Sequence, residues 1–133
     1  MNAVEIVTTL LNADPAIAVL IEPSRIKAGM LPQDAALPAL LAREISQVER
    51  LKLVRVGKAL VTSRIEVAVR AKSYREQKAV LALVIHACAG RTGDIGGGTS
   101  VAITNAGAGP DLVDEAGIFQ QAQDFRVTHE TDA

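Results

Sequence analysis

The sequence predicts an α+β fold: an antiparallel sheet with helices packed on one face. Three observations carry that expectation. From Leu60 to Lys72, residues Val61, Ser63, Ile65, Val67, Val69 and Ala71 share one side, and Thr62, Arg64, Glu66, Arg70 and Lys72 the other. A period of two marks a strand with one buried and one wet face. From Ser73 to Ala89 the period becomes helical, with Val80, Leu83, Val84 and Ala87 on a stripe widened by Leu81 and Ile85. Near the N-terminus, Val4, Ile6, Val7, Leu10 and Leu11 form a second helical stripe.

The remaining elements follow in chain order. The first helix covers Val4 to Leu11 and stops near Asn12. Asp14-Pro15 starts another, with Asp as N-cap and Pro at the first helical position, where its missing N–H costs nothing. Glu22-Pro23-Ser24 ends it. Arg25 to Leu31 reads as a short extended piece, and Pro32 and Pro38 bracket a loop. Ala39 to Val48 reads as a strand with neither face cleanly apolar. The alternation then shifts parity around Gly57, which a strand cannot do without a bulge or a turn. A basic hairpin loop therefore falls over Glu49 to Ala59, carrying Arg50, Lys52, Arg55 and Lys58. Ser73-Tyr74-Arg75-Glu76 matches a capping box for the long helix, and Gly90 stops it. Arg91 to Gly98 reads as a flexible glycine-rich connection. Thr99 to Asn105 alternates as a strand. Ala106 to Gly117 is a long acidic turn holding Asp111, Asp114 and Glu115. Ile118 to Thr128 is the last strand, anchored by Phe119, Phe125 and Val127, with Gln121 and Gln123 making its middle less buried. Glu130 to Ala133 is expected to fray.

Composition narrows the function classes. The 133 residues are 49% hydrophobic and 22% charged, with a formal net charge of −1. One compact domain over residues 1–133 suits that length and needs no disulfide or structural metal. A near-neutral chain is not a basic nucleic-acid coat. Tyr74, Phe119 and Phe125 are the aromatics, too few for a platform that stacks single-stranded bases. Cys88 is the one cysteine and has no internal partner for a disulfide. The apolar N-terminal stretch is broken by Glu5, Asn12, Asp14, Pro15 and Glu22 before it reaches the length of a bilayer span. It also lacks the positively charged start of a secretory signal. We expect a soluble chain with no membrane partner.

Motifs for chemistry fail on spacing. Gly93-Asp94-Ile95-Gly96-Gly97-Gly98-Thr99 lacks the lysine of a phosphate loop and follows a helix where such a loop precedes one. His86 and Cys88 stand two apart on a helix and point to different sides, and His129 is remote. Zinc needs three or four converging ligands, so His86 reads as a core or half-buried residue and Cys88 as an inert buried one. No serine sits in a nucleophile elbow. Asp111, Asp114 and Glu115 do not match a calcium loop and read as a solvated turn. No catalytic, cofactor-binding or metal residue is expected, and no cofactor.

Charge is more informative. Between Arg43 and Arg75 nine Lys or Arg face three acids, net +6; from Thr92 to Ala133 one base faces seven acids, net −6. Two readings fit: two solvated faces that happen to differ, or complementary surfaces on neighbouring copies, whose head-to-tail contact makes a ring where it closes on itself.

Leu31-Pro32-Gln33…Ala36-Leu37-Pro38-Ala39-Leu40 resembles the lead-in to the first long strand of phage tail-terminator (tail-completion) proteins. Arg64-Ile65-Glu66-Val67-Ala68-Val69-Arg70-Ala71, followed by Tyr74 and a helix, is similar to that family's central strand and helix. Gly109-Pro110-Asp111…Asp114…Gly117-Ile118-Phe119…Gln123-Asp124-Phe125-Arg126-Val127 resembles its C-terminal hairpin. The resemblance implies a structural virion protein and no enzyme. Copies form a ring, typically of six, that caps the tail tube, ends its polymerisation and offers a docking surface to the neck. The implied partners are further copies, the major tail tube protein and a neck or head-completion protein. DNA passes through the ring without sequence-specific contact. The expected place is the neck end of the tail, reached by assembly in the host cytoplasm. The residues assigned to assembly surfaces are Arg50, Lys52, Arg55, Lys58, Asp111, Asp114 and Glu115. Two alternatives stand beside this: another neck component such as a stopper, and a small α+β ligand-binding oligomer or enzyme.

Overall fold

The computed structural model describes residues 2–32, 34–51 and 58–132. Helix α1 (Ala3–Ala13) is capped by Asn2, whose Oδ1 accepts the Glu5 N–H at 2.9 Å. Helix α2 (Pro15–Leu20) starts as expected, with Asp14 Oδ1 accepting from the N–H groups of Ala16 and Ile17 at 2.9 and 3.1 Å. A 3₁₀ turn over Pro23–Arg25 leads into β1 (Ile26–Ala28). Then come β2 (Ala39–Leu51), β3 (Lys58–Ala71), α3 (Tyr74–Cys88), β4 (Thr92–Ile95), β5 (Gly98–Ala108), β6 (Leu112–Val113) and β7 (Phe119–Asp132). The strands lie in the order β1-β2-β3-β7-β5-β4, with β6 against the start of β7.

The fold is α+β, and the sheet is mostly antiparallel. One pair departs from the expected pattern: β1 runs parallel to β2. Residues 29–38 carry the chain back along this short edge strand, so both strands leave in the same direction.

The core lies on one face of the sheet. Alternate residues of β3, from Ala59 to Ala71, are buried, as are those of β7 from Gln121 to His129. Paired residues share a face, and β3 and β7 pair along their whole length, for example Ile65 with Phe125. Val67, Val69, Phe125, Val127, Val101 and Ile103 meet Ile6, Val7 and Leu11 of α1 and Val80, Val84 and Ala87 of α3 in one apolar cluster. Ser73 Oγ accepts the Glu76 N–H at 3.1 Å, and Glu76 Oε1 accepts the Lys72 N–H at 2.9 Å. That closes the capping box, with Glu76 reaching one residue further back than the usual pattern.

Several expectations need correction. The parity change in the first long strand lies at Ile45: Glu44 pairs with Ile65, and Ser46 with Arg64. A bulge there moves even positions from the core face to the outer face, which is why neither face of this segment looks apolar in sequence. The expected shift around Gly57 lies outside the described residues. Strands β2 and β3 also occupy Glu49–Leu51 and Lys58–Ala59, which the sequence assigns to a loop.

The glycine-rich segment after α3 is a hairpin rather than a flexible connection. Gly96 and Gly97 form its two-residue turn with φ of +56° and +82°, which glycine adopts without the Cβ strain of other residues. Gly98 has a second constraint, since a Cβ there would come within 2.7 Å of Ile6 Cδ1.

The long acidic turn contains β6, and β7 runs on to Asp132, into the segment expected to fray, with Glu130 opposite Leu60 and Thr99. Gln121 and Gln123 are buried, not exposed. Buried amides persist where they are hydrogen-bonded. Gln121 Nε2 donates to Gly109 O at 2.9 Å and Gln123 Nε2 to Asn105 Oδ1 at 2.7 Å. Both hold β5 and its exit where the ladder between Asn105 and Ala108 is interrupted. His86 is exposed on the outer side of α3, and His129 is buried on the core face.

Phe125 is fully buried and is the largest such side chain. Phe125→Ala is expected to cost about 3–5 kcal/mol, transfer and cavity together. A urea melt reading a lower midpoint with unchanged slope checks this; a shift under about 1 kcal/mol would mean the core collapses around the gap.

Candidate assembly surfaces

Four places could carry chemistry: the acidic connection, the β2 edge and the outer face of the sheet, which lie outside the core, and the lone thiol, which lies within it. The acidic connection is built from α3 and the segment between β5 and β7. Tyr74, Gln77 and Lys78 project from the first turns of α3. Tyr74 OH donates to Asp111 Oδ2 at 3.0 Å, while Gln77 Nε2 and Lys78 Nζ donate to Asp111 Oδ1 at 2.9 and 2.8 Å. The same two donors reach Gln121 Oε1 at 3.1 and 2.8 Å. Tyr74 also stacks edge-on with Phe119, and Lys78 lies 5.1 Å from the Tyr74 ring centre. Hydrogen bonds from Lys78, Tyr74 and Gln77, with the Lys78 charge, hold the Asp111 carboxyl below the usual carboxylate range. The hydrogen bond to Asp111 raises Lys78 in turn. Asp111 is therefore a latch on its own connection, not a free charge as the solvated-turn reading expects. Asp114 is also engaged locally: its Oδ1 accepts the N–H groups of Ala116 and Ile118. Glu115 is exposed. The structure brings Asp114 and Glu115 to the β6–β7 turn and separates them from Asp111, which faces α3.

Of the basic residues expected at the first hairpin, Lys52 and Arg55 lie outside the described residues. Arg50 and Lys58 belong to β2 and β3, opposite Leu60 and Asp132. The charge halves read from sequence are partly neutralised within the chain. Arg43 bonds Glu66 at 2.8 Å, Arg64 bonds Asp124 at 2.7 Å, and Lys78 bonds Asp111 at 2.8 Å. Of these, Arg64–Asp124 joins the two halves, because β3 and β7 are neighbours, while Arg43–Glu66 lies within the basic half; linear charge counting registers neither.

The β2 edge is long and bare. β1 covers only Leu40–Ala42 of its outer flank. Beyond that, Arg43–Leu51 has no strand partner on the flank away from β3 among the described residues. Ile45 and Val48 are 46% and 55% exposed there. Unpaired apolar edges are sites where a further chain adds.

Away from the helices, β2 and β5 wall a trough floored by β3 and β7. It encloses about 250 Å³, and its lining includes Ser46, Val48, Thr62, Arg64, Ala106 and Arg126. A wider hollow of about 470 Å³ lies between Glu22–Lys27 and Pro32–Ala36. Neither is lined by His86 or Cys88. Cys88 is buried as expected, and burial pushes its thiol up to about 12, which disfavours the thiolate. Among the described residues no three His, Cys, Asp or Glu converge on a metal position, and no helix is long and apolar enough to cross a membrane.

A family model described as Tail completion protein gp17 matches residues 5–130, from α1 to the end of β7. The chain belongs to this tail-completion family. Membership makes it a structural component of a virion tail, working in assembly with other virion proteins. None of the curated proteins compared matches the chain. Among solved structures, a chain from the virion of a native gene transfer agent particle superposes with a TM-score of 0.70 at 19% identity. The match covers 94% of this chain and 92% of that one, so the tail-completion protein shares its fold.

The latch sets a pH dependence. A carboxyl held below its ordinary value stabilises the folded state at neutral pH and loses that contribution as pH falls through its folded value. Acidification is therefore expected to change the emission of Tyr74, the chain's one tyrosine, in a step below the usual carboxylate range. Asp111→Asn should remove the step. An acid titration of tyrosine fluorescence on both chains checks this, and identical curves would contradict it.

Proposed function

We propose that this tail-completion protein is the tail terminator. Copies close into a ring, of six subunits by the family resemblance, that sits on the finished tail tube. The ring ends polymerisation and offers the neck a docking surface. Its partners are then further copies, the major tail tube protein and a neck or head-completion protein, and DNA passes through the centre. Its place is the neck end of the tail, and its assembly is cytoplasmic. The role is structural and needs no catalysis.

The observation that carries this reading, beyond family membership, is the bare flank of β2 from Arg43 to Leu51. A sheet with a long open edge and one helix-free face can take up neighbours without refolding. A closed series of identical head-to-tail contacts is a ring. Termination also needs a second surface unlike the tube subunit's own. Long hairpins on a rigid scaffold supply that, because loops vary freely while the sheet stays fixed. In this reading Arg50, Lys52, Arg55, Lys58, Asp114 and Glu115 serve assembly contacts, with Asp111 holding the acidic connection in place.

Mixing the protein with polymerising tail-tube subunits tests the proposal. Negative-stain images are expected to show shorter tubes, each ending in a ring. Tubes of unlimited length and normal width, with excess protein present, would overturn it.

A further inference from the structure

Arg64 and Arg126 are direct cross-strand partners on the outer face. Like charges directly opposite one another destabilise a sheet. Asp124 bonds Arg64 at 2.7 Å, which leaves Arg126 exposed and without an ion pair among the described residues. Both arginines line the 250 Å³ trough, beside the exposed Val48. The trough therefore offers an uncompensated positive charge next to an apolar wall.

The β6–β7 turn offers the reverse. Leu112 and Val113 are 55% and 59% exposed, and the exposed Glu115 follows directly. Glu115 is free of the contacts that hold Asp111 and Asp114. The turn cannot reach its own trough. β6 is pinned to Phe119 and Gln120, and Arg126 lies about 20 Å further along β7 at the usual rise per residue. Tip and trough are thus two different, complementary surfaces of one chain.

We propose that the β6–β7 tip of one copy enters the outer-face trough of the next, with Glu115 meeting Arg126 and the Leu112–Val113 pair meeting Val48. This rests on the ring reading and specifies its subunit contact. The contact is heterologous, so each copy gives a tip and receives one, and the series closes when the rotation allows. Charge fixes its register and rejects misaligned partners. It also explains two apolar residues in so small a strand, which contribute nothing to the core.

Two single variants, Arg126→Glu and Glu115→Arg, test the contact in the tube-capping assay, with circular dichroism confirming that each stays folded. Each alone is expected to lose about tenfold or more of its capped tubes, since like charges then face each other at every contact. An equal mixture of the two is expected to recover capping, because copies that alternate around an even-numbered ring restore an opposite pair at each contact. The double variant should recover as well. Capping by either single variant at the wild-type level overturns the contact, and so does a mixture as inactive as its parts. Both results leave the ring reading intact. Wild-type protein that forms no cap overturns the ring reading and this contact with it.

Discussion

One-sided burial governs this molecule. β3 and β7 pair along their whole length in a register that aligns their alternations, so apolar residues of both strands fall on the same face. Helices α1 and α3 then have one surface to cover. Their own stripes suit it, with Ile6, Val7 and Leu11 on one and Val80, Val84 and Ala87 on the other. A slip of one residue would send every such side chain to the opposite face. The consequence reaches beyond stability. Because all the helices are used on one side, the other side and the β2 edge remain open, and these are the surfaces on which a tail-completion protein can meet other virion proteins.

Polar contacts do a second job that apolar packing does not. The connection from β5 to β7 has little core to hold it, and its strand β6 is two residues long. It is held by amides and one carboxylate instead. Gln121 grips Gly109, Gln123 grips Asn105, and Asp111 is held by Tyr74, Gln77 and Lys78. Directional bonds place a short, apolar, acidic tip at a defined position without burying it. That combination of exposure and fixed position suits a contact surface, since little ordering entropy remains to be lost on binding.

Much of the fold was legible from residue periodicity. The alternation of β3, the capping box of α3 and the Asp14-Pro15 start of α2 depend on neighbours in sequence, and the structure has all three. Features that depend on neighbours in space were not legible. Ile45 looks like an ordinary strand residue, and only pairing with β3 makes it a bulge. Gln121 and Gln123 look like solvent-facing positions until their partners arrive from the β5 exit. The glycine-rich segment carried a hairpin signal in Gly96-Gly97 that its apparent flexibility masked. At the candidate surfaces, residue counts found the acidic and basic segments. They missed that Arg64 and Asp124 neutralise each other across strands, and they missed Arg126, whose significance lies in facing Arg64.

The claim on which the rest stands is that the β2 side of the sheet, bare in the free chain, is covered when copies assemble. Amide hydrogen exchange along Arg43–Leu51, compared between the free protein and protein capping tail tubes, measures it directly. Marked slowing in the capped state, with the core strand β3 unchanged, is the predicted result. Equal exchange along β2 in both states would contradict the account.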